Sequence, residues 1–208
     1  PLHLMVIVLL WSAVYTAWSV MGRFGLVSLG HGGFMGVGAY ACALLWNNFG
    51  IPPWFGIPAG MAMAVGVALL VAYPCSRFRI TGHYFALVTM ALSAIVLQVI
   101  TATRDTTGGS LGYTPRRIPE GANGLWAFQF TSKEAWYLIA LAAWGLMLLV
   151  RSRVDNSMMS RALEAIAEDE DAASAAGVNV TAQKLKATAL SAALTDRKST
   201  RLNSSHAN

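Results

Sequence analysis

Acidic residues are absent from the first 101 positions, and charged types make up only 12% of the 208 residues. An average soluble domain carries roughly 25%. The shortage argues against a solvated globular surface, and it leaves the apolar segments of the first half without a carboxylate to carry a proton or sodium ion across a membrane. A secondary transporter driven by an ion gradient is therefore disfavoured. Only two cysteines occur, Cys42 and Cys75, in or beside apolar segments and without Cys-x-x-Cys spacing. They read as small buried hydrophobes rather than a disulfide or metal pair. No Gly-x-x-x-x-Gly-Lys follows a strand, so the chain itself has no ATP-cradling loop. No Ser, His and Asp stand in a nucleophile context, and the acids between Glu164 and Asp171 lack a nearby His or an ordered calcium loop. Neither catalytic residues, nor a metal, nor a cofactor are assigned. The net charge of +5 is modest, and membrane proteins use basic residues mainly for orientation, so nucleic acid is not an expected partner.

What the chain has in abundance is apolar length. Hydrophobic residues reach 55% and mean hydropathy is +0.50. The expectation is one domain, an all-α membrane protein forming a polytopic bundle of about five to six transmembrane helices, long enough at 1.5 Å per residue to cross a core of ~30 Å. The first segment is Leu2 to Met21; with no basic n-region or small-residue cleavage site it does not read as a signal peptide. Residues 24–46 form the second, unusually rich in glycine, with Gly32-x-x-x-Gly36 as a close-packing pattern. Within it His31 is either an ionisable side chain facing a cavity or partner at membrane depth, or a residue near the interface at a helix start, satisfied by Ser28. Asn47, Asn48, Gly50, Pro52 and Pro53 mark a reversal. Trp54 to Tyr73 follows, with Gly56-x-x-x-Gly60 and interfacial aromatics at its ends, and then Thr81 to Thr101. Residues 102–133 form a polar Gly, Pro and Thr loop, and Glu134 to Val150 is the last clear span. If segment ends alternate, Arg23, Arg77, Arg79, Arg151 and Arg153 share one side, which the positive-inside rule makes cytoplasmic; Arg104, Arg116, Arg117 and Lys133 oppose this from a long loop.

The same alternation puts residues 160–177 in the cytoplasm. This is the one long polar helix, with N-cap types Asp155, Asn156 and Ser157 before it and Gly177 placed to stop it. Leu163, Ile166 and Ala173 can share one stripe while Glu164, Glu168 and Asp171 line another. Two readings stay open: an amphipathic helix lying against its own protein, or a docking element. Gln183 to Leu194 begins a further apolar helix. From Thr195 the sequence turns polar and unsuited to a bilayer, and residues 195–208 are expected to be a non-native disordered tail similar to translated adaptor sequence. Pro1 stands where a Met start would, so the membrane domain, residues 1–194 with a cytoplasmic coupling loop at 155–180, is expected to be truncated at both ends.

Asp171-Ala172-Ala173, three residues and then Gly177 resembles the Glu-Ala-Ala loop of ABC importer permeases, with Asp in the Glu position. The run from Gly25 to Tyr40, including Ser28, His31, Gly32 and Tyr40, resembles the glycine-rich signature of permeases of branched-chain amino acid importers. Arg77 to Thr89, including Tyr84 and Thr89, resembles a second signature of that branch, and Thr107-Gly108-Gly109-Ser110-Leu111-Gly112 a third. Their order is the family's order. The resemblance implies a permease subunit in the bacterial inner membrane, a path for leucine, isoleucine or valine, and no enzyme activity of its own. It further implies a separate ABC ATPase, a second permease subunit, an extracytoplasmic solute-binding protein and a lipid bilayer as partners. Glu168, Glu170, Asp171, Ala172, Ala173 and Gly177 then couple to the ATPase, while Ser28, His31, Gly32, Tyr40, Tyr84, Thr89, Gly108 and Gly109 belong to the substrate path. The branch also contains urea and short-chain amide permeases, and a non-transporting membrane scaffold is the reading from another class.

Overall fold

The structure, a computed structural model, describes residues 2–22, 24–25, 28–80, 82–109, 112–116 and 132–205, with side chains described as far as Leu194. Nine helices and no strand occur among the described residues: α1 (Leu2–Gly22), α2 (His31–Phe49), α3 (Pro53–Arg77), α4 (Gly82–Ala102), the short α5 (Arg104–Thr107), α6 (Lys133–Asp155), α7 (Met158–Glu168), α8 (Glu170–Ala175) and α9 (Val180–Ser205). Four of them, α1, α3, α4 and α6, are long and apolar enough to cross a membrane. In α2 the glycines and Asn47 with Asn48 dilute the apolarity, yet it lies closely along α3, and α9 runs between α1, α2 and α3. Six helices thus build the all-α bundle.

Small residues set how closely these helices approach. Gly56, Gly60, Ala64, Ala68, Ala72 and Ser76 recur every fourth position of α3 and are all buried, so one ridge of the helix carries almost no side-chain bulk. In lipid, where burial of apolar surface drives little association, such a ridge gains its stability from tight van der Waals contact. Gly56 illustrates the tolerance: a Cβ there would lie 2.8 Å from Cys42 Sγ on α2. Both cysteines are buried. Pro53 occupies the first turn of α3, where a missing N–H does no harm. The helix continues through Pro74 to Arg77, past the expected end at Tyr73. At its far end α2 closes on Gly50, φ 63°, whose N–H donates to Trp46 O at 3.1 Å.

One end of the bundle is knitted by a cluster of Met21, Phe24, Cys75, Phe85, Leu163, Ile166, Ala173 and Ala187, drawn from the ends of α1, α3, α4 and α9 and from α7 and α8. The turn bearing Arg77 and Arg79 lies at this end, because Arg79 reaches Asp171. Arg23 lies outside the described residues. Towards the other end Val6 and Leu10 of α1 meet Ala140 of α6, with Trp136 and Tyr137 against them. There, too, residues 112–116 of the polar loop are pinned to the end of α2: Trp46 Nε1 donates to Arg116 O at 2.9 Å and Asn47 Nδ2 to Thr114 O at 3.0 Å. Ser110, Leu111 and residues 117–131 of that loop lie outside the described residues.

Two expectations need correction. The second apolar stretch is not helical from residue 24: α2 begins at His31, and Gly25 takes φ 73°, a left-handed turn that glycine adopts without strain. The polar helix of 160–177 is two helices, because Asp169 is extended (φ −152°, ψ 112°) and its carboxylate caps α8 by accepting from the N–H groups of Asp171 and Ala172 at 2.9 and 3.0 Å.

Candidate functional site

Ser28 and Gly30, just before α2, are buried within the bundle. Leu29 N–H donates to Thr89 Oγ1 at 3.1 Å, seven residues into α4, and Trp18 Nε1 of α1 donates to Ser28 O at 2.9 Å. A Cβ at Gly30 would overlap the Thr89 carbonyl oxygen, and one at Gly33 would come within 2.9 Å of Ser93 Cα. Glycine is therefore needed at 30 and 33 so that α2 can start against the backbone of α4. At Gly32 and Gly36 a Cβ would meet nothing within 4 Å, so the expected Gly32-x-x-x-Gly36 contact is not made within this chain. The close approach uses the neighbouring glycines instead.

His31 is buried at the first position of α2, and its Nε2 lies 2.9 Å from Ser191 Oγ on α9. Ser191 Oγ also donates to Ala17 O of α1 at 3.1 Å, so one hydroxyl joins three helices. Phe34 packs edge-on to the imidazole at 6.0 Å between ring centres. His31 stands at a helix start, as one reading had it, but its partner is Ser191 rather than Ser28. Ser28 Oγ and His31 Nδ1 are buried without a hydrogen-bond partner, a costly arrangement in an apolar interior. Irregular backbone in a membrane bundle is tolerated where protein surrounds it, and here Trp18 of α1 and Thr89 of α4 hold it.

Not every residue expected on the substrate path comes to this junction. Ser28, His31 and Thr89 meet there. Gly32 is next in the chain but exposed, Tyr40 is half-buried farther along α2, and Tyr84 is exposed on α4. Gly108 and Gly109 lie beyond Ala102, itself roughly 20 Å along α4 from Thr89 at 1.5 Å per residue. They have positive φ, 73° and 58°, and form a turn in which Gly109 N–H donates to Thr107 Oγ1 at 3.3 Å and a Cβ on Gly108 would strike Gly112 O. Their role in this arrangement is to close the α5 turn.

The second site is the α7–α8 pair. Ser157 caps α7, its side chain accepting from Ser160 N–H at 3.4 Å. Leu163, Ile166 and Ala173 turn into the bundle as the stripe predicts, and Glu164, Glu168 and Asp171 are exposed. Gly177, φ 88°, ends α8 with open space around its Cβ position, and Val178 N–H donates back to Ala173 O at 3.1 Å. Of the six expected coupling residues, Glu168, Asp171, Ala172 and Gly177 face outward. Ala173 and Glu170 face the protein's own bundle, Glu170 Oε2 taking Lys184 Nζ of α9 at 2.7 Å. Asp171 Oδ1 pairs with Arg79 Nη1 at 2.6 Å in the open.

Sequence reasoning missed Trp18, Lys184, Thr188 and Ser191. The last three stand at i, i+4 and i+7 of α9 and are buried at 5%, 3% and 0% exposure, a polar stripe on one inner face. That spacing was visible among the apolar residues of 183–194. Among the described residues no three His, Cys, Asp or Glu gather to hold a metal.

No solved structure matches this chain. It is 33% identical over 195 residues to the high-affinity branched-chain amino acid transport system permease protein LivM of Escherichia coli (strain K12), covering 84% of this chain and 45% of that protein. The LivM protein of Salmonella typhimurium is 32% identical with the same coverage. The chain thus spans about half the length of these relatives. A family model described as the permease component of the branched-chain amino acid transport system matches residues 4–195. With nearly its whole length inside that match and an all-helical, multi-pass bundle to carry it, this chain belongs to the family of branched-chain amino acid transport permease components.

Proposed function

We propose that this chain contributes to the path of an ATP-driven importer for leucine, isoleucine or valine in the bacterial inner membrane, and that a separate ATPase docks on its α7–α8 pair. The observation that carries the reading is the split character of that pair. Leu163, Ile166 and Ala173 root it in the packed end of the bundle, while Glu168, Asp171, Ala172 and Gly177 stay exposed. A rigid element passes on motion only when it is held between two packed bodies, and here one of the two faces is free to take the second. The end carrying Arg77, Arg79, Arg151 and Arg153 is then cytoplasmic. The polar junction of Ser28, His31 and Thr89 lies on the solute path, where two unpartnered polar atoms and a helix start are gathered. The family likeness supports the choice of branched-chain amino acids, delivered by an extracytoplasmic binding protein and shared with a second permease subunit.

The test is Gly177→Val in the full chain, co-expressed with its ATPase, second permease and binding protein. Valine at φ 88° is strained and fills the open space at the docking face. Leucine uptake should be abolished while membrane insertion is unchanged. Unaltered uptake would refute the assignment, uptake of urea or a short amide in place of leucine would redirect the substrate, and an unaltered chain that never retains an ATPase would favour the scaffold.

A further inference from the structure

We infer that the Lys184–Glu170 ion pair passes movement of the α7–α8 pair to α9, and that α9 passes it through Ser191 to the start of α2. The inference rests on the docking reading above and gives Lys184 and Glu170 a positioning role within it. Lys184 Nζ lies 2.7 Å from Glu170 Oε2, and the two side chains keep only 7% and 23% of their exposure. The apolar contacts of Leu163, Ile166 and Ala173 resist separation but allow sliding. A short, largely desolvated ion pair has direction, and so resists displacement along α9 as well.

Beyond the pair, α9 presents one continuous polar face. Thr188 Oγ1 donates to Lys184 O at 2.9 Å, and a turn later Ser191 Oγ meets both His31 Nε2 and Ala17 O. Lys184 and Ser191 are separated by seven residues, about 10 Å of rigid helix. A shift of α9 along its axis therefore changes the bond that holds the first residue of α2, and with it the junction against Thr89. The other tie on α8, Arg79–Asp171, has side-chain exposures of 66% and 79% and is screened by solvent.

The experiment places the full chain with its ATPase, second permease and binding protein in proteoliposomes and compares Lys184→Met, Glu170→Gln and the swapped pair Lys184→Glu with Glu170→Lys. ATPase retention, ATP hydrolysis and leucine uptake are measured together. Both single variants should retain the ATPase and hydrolyse ATP, yet import about tenfold less leucine per ATP, in the usual range of coupling between sites. The swap should recover most of that ratio, which loss of a merely stabilising contact would not move. Single variants with an unchanged ratio, or a swap as uncoupled as the singles, would overturn the inference alone. Failure of the unaltered chain to retain the ATPase would overturn the docking reading and this inference with it.

Discussion

Four glycines stand within seven residues at the start of α2, and the structure divides them into two pairs with opposite expected responses to alanine. At Gly30 the added methyl would collide with the Thr89 carbonyl, and at Gly33 it would lie 2.9 Å from Ser93 Cα and 3.0 Å from Ser93 Cβ. The obstacles are backbone or Cβ atoms, so no side-chain rotation relieves them and α2 must move off α4. Such overpacking costs about 1–3 kcal/mol. Backbone strain adds nothing at Gly30, whose φ of −90° and ψ of 9° are open to alanine. At Gly32 and Gly36 nothing lies within 4 Å, and alanine should gain up to about 0.5–1 kcal/mol in helix preference. Thermal unfolding of the detergent-solubilised chain, followed by the monodisperse fraction after heating, reads the difference. At roughly 2–4 °C per kcal/mol for a chain of this size, Gly30→Ala and Gly33→Ala should melt several degrees lower, and Gly32→Ala no lower than the unaltered chain. If Gly32→Ala fell as far as Gly30→Ala, or Gly30→Ala left melting unchanged, the placement of α2 against α4 would be wrong.

Ser191→Ala removes a hydroxyl that serves two helices at once, leaving Ala17 O and His31 Nε2 without it. An expected loss of ~1–3 kcal/mol follows from stranding buried polar groups, and it should be non-additive with His31→Ala in a double-mutant cycle; simple additivity would separate the two residues. Arg79 is the one non-glycine with positive φ among the described residues, at 54°. Glycine there relieves about 1–2 kcal/mol of left-handed strain. Its exposed pair with Asp171 is worth only about 0–1 kcal/mol. Melting of Arg79→Gly should therefore hold or rise, and a clear fall would show the pair to be stronger than its exposure allows.

The bundle was legible because bilayer length and apolar composition leave few alternatives: α1, α4 and α6 lie where apolar runs lie. The stripe of Leu163, Ile166 and Ala173 was legible for the same reason, since helical spacing decides which side faces apolar surroundings. Two kinds of feature were hidden. The break before α2 depends on Thr89 and Ser93, some sixty residues away in sequence, and no local pattern says which of Gly30, Gly32, Gly33 and Gly36 will meet them. The break at Asp169 was local but ambiguous, because Glu168-Asp169-Glu170-Asp171 reads equally as a solvated helical face and as a cap with acids in the following first turn. Lys184 was passed over because a lysine at the edge of an apolar run usually marks an interface rather than a buried partner.

The two ion pairs on α8 are similar in length and opposite in consequence, and burial decides between them. Arg79–Asp171 can open into water, where both groups are already largely solvated, so α8 can part from the α3–α4 turn at little cost. Lys184 cannot part from Glu170 on those terms. Breaking a buried pair by removing one partner typically costs about 3–5 kcal/mol, because an uncompensated charge is left in a poor solvent. Part of that applies here, since Glu170 retains some access to water. Movement of α8 alone is thus opposed by a few kcal/mol, whereas movement of α8 together with α9 leaves the pair intact. The low-energy displacement carries both helices, and since α9 holds His31 through Ser191, it reaches the start of α2, where Ser28 and His31 keep buried polar atoms without partners.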